Sequence, residues 1–269
     1  MSVIKDSEGV EYLIYNESEL YDDNEMGNQF DDFEILQILG KGSYGLVAKV
    51  RSKKNKKIYA LKQIDLSKIN TQKEKDLCKQ EIILLQQLNH PNINKYYQTI
   101  LNNNIINTIM EFMNNGDLKG FIEAHKKFNK PVREEEVWNI LLQSMNGLQY
   151  IHEKDIIHRD IKPANLFMTD DKAIKIGDFG VSAVINRRYN SNKTNISKEN
   201  LVIGTPNYMS PEMYNCMGYG NKVDVYALGF TFHMMCYYGP PRAYEEVSSF
   251  ERIEIQLVDK PPLYNVGVY

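Results

Sequence analysis

Two hydrophobic patterns divide the chain. From Phe33 to Glu111 apolar residues come in short runs broken by turn residues, a pattern that predicts strands. The expected strands are Phe33–Leu39, Gly45–Val50, Lys57–Ile64, a stretch around Ile93–Thr99 and another around Ile105–Glu111. A single helix is predicted within this part, over Thr71–Leu88. The charged run Lys53-Lys54-Asn55-Lys56 reads as a hairpin turn rather than a nuclear-import signal. After Gly116-Asp117 the spacing turns helical. Arg133–Glu153 repeats apolar residues at Val137, Ile140, Leu141, Met145, Leu148 and Ile151, with Glu134, Glu135 and Glu136 in the first turn, where the helix dipole favours them. Lys222–Tyr238 is apolar nearly all round and predicts a helix in the middle of a lobe. A strand-rich half followed by a helical half predicts an α+β fold of two lobes, about 33–113 and 114–269, with a cleft between them.

Residues 1–32 break from this pattern. They carry ten acidic side chains and one basic, Lys5, a net of −9 in a chain whose total is −3, which leaves +6 on the rest. With no sustained period they read as an acidic, flexible arm, in which Tyr12-Leu13-Ile14-Tyr15 can form a short strand. The +6 is too diffuse to argue for a nucleic-acid partner. Cys78, Cys216 and Cys236 are scattered, without C-x-x-C spacing, which argues against a disulfide framework or a zinc site and fits a reducing compartment. No basic-then-apolar leader and no membrane-length apolar stretch is present, so the cytoplasm is the expected location and no membrane partner is expected.

Five segments carry chemistry. In Gly40-Lys41-Gly42-Ser43-Tyr44-Gly45-Leu46-Val47, three glycines between two strands let the backbone approach phosphates closely. A dinucleotide fold would need a helix next, where a strand is predicted, and no Gly-Lys-Ser/Thr makes a Walker loop. Lys62, in the apolar strand Tyr59-Ala60-Leu61-Lys62, needs a partner. Glu81 lies on the helix stripe of Leu77, Leu84, Leu85 and Leu88, where a carboxylate is costly unless paired. A Lys62–Glu81 ion pair resolves both and aims the lysine at phosphate oxygens. Then His158-Arg159-Asp160-Ile161-Lys162-Pro163-Ala164-Asn165 is a polar loop between apolar flanks, and Ile174-Lys175-Ile176 leads into Gly177-Asp178-Phe179-Gly180. Magnesium takes few protein carboxylates beside phosphate and water. Asp178 and Asn165 suit it, leaving Asp160 to handle a proton.

Together with Ser210-Pro211-Glu212, these segments resemble the signature set of the eukaryotic protein kinases, over Phe33 to Tyr269. The resemblance implies an ATP- and Mg²⁺-dependent enzyme (Mn²⁺ able to substitute) that phosphorylates a serine or threonine of a protein. In that reading Leu39 and Gly40 to Val47, including Lys41, Gly42, Ser43, Tyr44 and Gly45, cover the nucleotide. Val47, Ala60 and Phe167 sandwich adenine, and the Glu111-Phe112-Met113 backbone reads its edge behind Met110. Lys62 holds the α- and β-phosphates, and Lys162 lies near the γ-phosphate. Asp160 takes or orients the substrate hydroxyl proton, Asn165 and Asp178 bind the metal, and Asp224 braces the catalytic loop. Lys162 and Gly204-Thr205-Pro206 match the serine/threonine branch. Glu111-Phe112-Met113-Asn114-Asn115-Gly116-Asp117-Leu118 and Tyr208-Met209-Ser210-Pro211-Glu212 look most like the NIMA-related kinases, whose members associate with cilia, the cytoskeleton and mitosis. Phe179-Gly180-Val181-Ser182-Ala183 is closer to Ste20-like or MAP-kinase-kinase enzymes.

Two departures follow. Arg159 implies an activation segment ordered by a phosphate, yet the usual phosphorylated position is Leu201. Ser191, Thr194 and Ser197 are the nearby candidates for an activating kinase, with Glu199 as a built-in substitute; Phe179, Gly180 and Thr205 complete the regulatory set, and Arg187, Arg188 and Lys193 read as a solvated insert. Second, the chain stops at Val266-Gly267-Val268-Tyr269, short of two helices that such domains continue into, and so without the Arg that pairs Glu212. The lower lobe is expected to be incomplete: either the sequence is a fragment, or the lobe is marginal and needs a regulatory partner. The rival function is a pseudokinase, a binding module without turnover. The presence of Lys62, Glu81, Asp160, Asn165 and Asp178 together argues against it.

Overall fold

The computed structural model of the protein describes residues 2–5, 11–14, 26, 29–42, 45–102, 104–184, 204–215 and 217–238. Near the N-terminus β1 (Ser2–Lys5) pairs antiparallel with β2 (Glu11–Ile14). The expected short strand is therefore there, starting one residue early, and it has a partner that the acidic composition did not suggest.

The upper lobe is a five-stranded antiparallel sheet of β3 (Phe33–Lys41), β4 (Gly45–Ser52), β5 (Ile58–Asp65), β6 (Tyr96–Asn102) and β7 (Ile105–Glu111), in the order β3-β4-β5-β7-β6. Its register sorts residues by face. Ala48, Leu61 and Ile109 lie opposite one another and are fully buried in a cluster with Val50, Tyr59 and Phe33. One position along, Val47 faces Lys62, which faces Thr108, and Ala60 faces Met110, so these five strand positions share the other face. That face is the roof of the cleft.

The folded lobe begins upstream of Phe33. Met26 is 5% exposed and packs in the same cluster, and its carbonyl accepts the Ser52 hydroxyl at 2.6 Å. Ser52 Oγ in turn accepts the N–H groups of Lys54 and Asn55, which fixes the lysine-rich hairpin turn. The packing of the upper lobe thus reaches back to residue 26.

Helix α1 (Gln72–Gln86) starts at Thr71, whose side chain accepts the Glu74 N–H. The lower lobe holds α2 (Leu118–Lys127), capped by Asp117, then α3 (Glu134–Glu153), the short strands β8 (Ile156–Ile157), β9 (Leu166–Met168), β10 (Ile174–Ile176) and β11 (Ala183–Val184), and α4 (Pro211–Tyr214) and α5 (Lys222–Tyr237). Its core joins Leu148 and Ile151 of α3, Leu228 and Met235 of α5, Ile174 and Ile176, and reaches up to Leu84 and Leu85 of α1.

Three expectations need correcting. The fourth sheet strand starts at Tyr96, not Ile93, because Ile93 bridges to Ile176 of the lower lobe. Met145 of α3 is 51% exposed, while Ser144 and Gly147 are buried, so the inward face is rotated from the apolar count. Close approach of Asn92 and Ile176 requires that: a Cβ on Gly147 would lie 2.8 Å from the Asn92 carbonyl oxygen. Among the described residues α5 is not covered all round, with Val225 58% exposed. No helix among the described residues is long and apolar enough to cross a membrane.

Candidate active site

The roof register hangs Lys62 over the cleft, and α1 brings Glu81 to meet it. Nζ of Lys62 lies 2.6 Å from Oε1 of Glu81 and 3.2 Å from Oδ1 of Asp178. Burial disfavours the Lys62 ammonium, but the Glu81 and Asp178 carboxylates outweigh it and raise its pKa above the ordinary lysine value. Burial likewise works against the Asp178 carboxylate, and the Lys62 charge overcomes this and holds its pKa below the usual range.

Below the cleft, a buried carboxylate shapes the polar loop. Asp224, 1% exposed on the first turn of α5, accepts the backbone N–H groups of His158 and Arg159, each at 2.8 Å. His152 of α3 completes the clamp, with Nε2 2.8 Å from Asp224 Oδ2. The grip holds Arg159 at φ +66°, a conformation that a non-glycine residue adopts only when its surroundings impose it. The His158 ring accepts the Asp160 N–H at Nδ1, so its Nε2 carries the hydrogen donated to the Gly177 carbonyl, 3.1 Å away. One imidazole therefore ties the loop of Asp160 to the strand end of Asp178.

Asp160 is the most heavily hydrogen-bonded carboxylate of the site. Oδ2 accepts Lys162 Nζ at 2.7 Å and Asn165 Nδ2 at 3.0 Å. Oδ1 accepts both the backbone N–H and the hydroxyl of Thr205, at 2.9 and 2.7 Å. Asn165 gives its N–H₂ to the backbone and side chain of Asp160, so its carbonyl oxygen remains as a ligand donor.

Asp178, at φ +61°, faces the cleft, while the next residue, Phe179, turns the opposite way into the core. Its ring is 1% exposed and lies 4.9 Å from the His158 ring. A Cβ on Gly180 would sit 3.4 Å from Glu81 Oε2, in ordinary contact with the ion pair.

Between the lobes lies a cavity of about 560 Å³. Leu39, Val47 and Ala60 line its roof, Phe167 its floor and Met110, Glu111 and Met113 its rear edge, with Lys62, Glu81, Asn165 and Asp178 at the polar end. Among the described residues the Met113 N–H has no acceptor. Gly40 and Gly42 have open space where a Cβ would be, as a loop over a ligand requires. Gly45 is different: a Cβ there would run into the Gln63 carbonyl of the neighbouring strand, so this glycine serves the sheet. Lys41 is exposed at the end of β3.

A divalent cation fits this donor set. Asp178 offers a carboxylate and Asn165 a spare amide oxygen in one cavity. No group of three or more His, Cys, Asp or Glu suited to a metal occurs among the described residues. Few protein ligands suit a Mg²⁺ that keeps phosphate and water in its shell.

Ser43, Tyr44, Ser191, Thr194, Ser197 and Glu199, the insert with Arg187, Arg188 and Lys193, Leu201, and the Leu77 side chain lie outside the described residues. So do Val266 to Tyr269. Arg159 is 7% exposed, and its guanidinium donates to the Val181 and Ser182 carbonyls. Glu212 is half-buried rather than buried, so the full penalty of an unpaired interior carboxylate does not fall on it. Sequence reasoning missed His152 and Asn94. The signal for His152 was available: it follows Leu148 by four residues, a polar ring on the buried face of α3.

The protein kinase domain family matches residues 33–261. The chain is 34% identical to mouse serine/threonine-protein kinase Nek2 over 223 residues, 80% of this chain and 48% of the relative. It is 37% identical to the probable serine/threonine-protein kinase nek2 of Dictyostelium discoideum over 216 residues, 78% of this chain and 50% of the relative. Serine/threonine-protein kinase 1 of Arabidopsis thaliana is 36% identical over 211 residues, 78% of this chain and 24% of the relative. The chain spans about half the length of the first two. It belongs to the protein kinase domain family, and the resemblance to NIMA-related kinases read from its motifs is borne out.

Proposed function

We propose that this protein kinase domain transfers the γ-phosphate of ATP, with Mg²⁺, to serine or threonine hydroxyls of protein substrates. The observation that carries the reading is the convergence of Lys62, Asp178 and Asn165 from three separate segments on one cavity with an apolar end and a charged end, with Asp160 bonded to Asn165 beside it. The apolar end, Val47, Ala60 and Phe167, suits a flat base, and the Met113 N–H is available to its edge. Lys62, fixed by Glu81, presents its charge to the α- and β-phosphates. Mg²⁺, held by Asp178 and Asn165, neutralises phosphate charge when bound. Lys162, beside Asp160, adds positive charge where the γ-phosphate transfers. Asp160 orients the attacking hydroxyl and receives its proton. The Thr205 hydroxyl on Asp160 Oδ1 supports this role, because an alcohol of substrate size already fits there. Such a site works by positioning and charge stabilisation, with turnover of roughly 1–100 s⁻¹.

Phosphate transfer from labelled ATP–Mg²⁺ to a generic protein substrate tests the proposal, with Asp160→Asn as control. Removing a positioned proton acceptor should slow transfer by roughly 10²–10⁴-fold. Equal incorporation by the two proteins would refute it, and a silent wild type would favour the pseudokinase reading. For regulation we propose that Ser197 or Thr194 is phosphorylated, or that Glu199 substitutes for the phosphate. Full activity of a Ser191/Thr194/Ser197 triple-alanine variant would exclude phosphorylation at these positions.

A further inference from the structure

Asn94 occupies a position where the fold requires a backbone and not an amide. The segment around it stitches the lobes together. Ile176 donates its N–H to the Asn92 carbonyl at 2.9 Å, Asn94 donates to the Ile176 carbonyl at 2.8 Å, and Glu111 donates to the Lys95 carbonyl at 2.9 Å. Those bonds use main-chain atoms, so an aliphatic residue at position 94 would serve them equally well. The side chain is nevertheless a carboxamide, 8% exposed, lining the nucleotide cavity, and its oxygen is buried without a hydrogen-bond partner. A buried polar group left unpaired is destabilising, whereas an apolar residue of similar shape carries no such penalty.

Its surroundings place it at the base end of the cavity. The missing Cβ of Gly177 leaves room for both the Phe167 ring and the Asn94 Cβ, which would lie 2.8 and 3.3 Å from it. Phe167 is the floor against which a base would lie, and Lys95, next in the chain, is tied to the rear edge at Glu111. The apolar residues of roof and floor cannot distinguish one purine from another. Of the side chains behind them, Asn94 brings both a donor and an acceptor.

We infer that Asn94 is a base-recognition residue: a half-turn of its carboxamide brings the oxygen, shut off from the cavity in the nucleotide-free chain, round to accept the 6-amino group of adenine directly or through one water. This rests on the kinase reading above. An amino group carries two hydrogens, and a single backbone carbonyl at the rear edge accepts only one of them well, so the second is available to the side chain behind it.

A thermodynamic cycle tests the inference. KM and kcat are measured with Mg²⁺ and a generic protein substrate, for ATP and for purine riboside triphosphate, in which hydrogen replaces the amino group. Wild type is compared with Asn94→Val. The expected result is a preference for ATP that shrinks about three- to tenfold in the variant, expressed in KM with kcat little changed. The melting temperature of the nucleotide-free variant should hold or rise, because the orphaned amide is gone. A structural asparagine would show the opposite, a lower melting temperature with the ATP preference intact, and that result overturns the inference. Should Asn94→Val not fold, Asn94→Ser, too short to reach the base, supplies the same comparison. If wild type transfers phosphate from neither nucleotide, the kinase reading fails instead, and calorimetric binding of the two nucleotides still decides the role of Asn94.

Discussion

Nζ of Lys62 is held 2.6 Å from Oε1 of Glu81, and the two side chains are 23% and 7% exposed. A strand and a helix are thereby locked to each other through one ion pair whose lysine also reaches Asp178. Replacing Lys62 by Met leaves the Glu81 carboxylate buried and unpaired. Such a loss costs about 3–5 kcal/mol in a dry interior, and the partial exposure of Lys62 should keep this case at or below the lower limit. The double variant Lys62→Met/Glu81→Leu should regain most of that stability in urea unfolding, yet transfer phosphate at least 100-fold more slowly than wild type. Recovered activity in the double variant would show that the pair is only structural.

The same cluster sets an acid limit. Asp178 has a depressed pKa in the folded chain, so the unfolded chain binds its proton more readily. The stabilisation is fully present above the unfolded aspartate value of roughly 3.9 and is lost as pH falls through the lower folded value. Lys62 acts at the other extreme. Its raised pKa contributes stability below the unfolded lysine value, lost only as pH climbs through the higher folded one. Unfolding curves between about pH 5 and pH 2 should therefore fall less steeply for Asp178→Asn than for wild type. Identical slopes would mean that Lys62 does not hold the Asp178 charge.

What could be read from the sequence, and what could not, follows from the range of each interaction. Lys62 and Glu81 announced each other because each was a charge on an apolar element, a local anomaly with a single remedy. The glycines of the loop were visible, but their separate duties were not: Gly45 is fixed by a carbonyl on a strand that follows a further turn. Ile93 read as part of a strand because it is the apolar residue just ahead of Tyr96 and Tyr97, and only the lower-lobe strand that it bridges shows why the sheet begins later. Met26 lay within an acidic stretch whose composition spoke for an arm, and the hydroxyl that anchors it is 26 residues away. Asn94 gave no local signal, since an amide among polar neighbours looks like surface until the cavity encloses it.

Asp224 was legible only by resemblance, and the structure supplies its physical role. Its carboxylate accepts two adjacent backbone N–H groups and faces His152 Nε2. In Asp224→Asn one oxygen becomes an N–H₂ aimed at a donor, so at least one charge-assisted bond is lost. A cost of about 1.5–3 kcal/mol is expected, with phosphate transfer reduced more than ATP affinity, because the loop that moves carries Asp160 and not the adenine cavity. His152→Ala, which leaves both backbone bonds in place, should lose less of each. Urea unfolding and the kcat-against-KM split check the ranking, and a larger loss in His152→Ala would reverse the assigned roles.

Two helical glycines make the final comparison, since alanine favours a helix over glycine by about 0.8–1 kcal/mol at an open site. Gly229 of α5 is such a site, exposed and with nothing within 4 Å of a Cβ. Gly229→Ala should therefore stabilise the protein by an amount up to that value. Gly147 of α3 has the same helical backbone but faces the stitch between the lobes, where a Cβ would lie 2.8 Å from the Asn92 carbonyl oxygen and 2.9 Å from Ile176 Cδ1. The carbonyl cannot withdraw without straining its bond to the Ile176 N–H, so overpacking should outweigh the helix gain. Gly147→Ala is expected to destabilise by about 1–3 kcal/mol. Because the displaced strand leads directly to Asp178, transfer should slow as well. Opposite signs for the two substitutions in urea unfolding are the expected outcome. A stabilising Gly147→Ala would show that α3 does not press on the segment that joins the lobes.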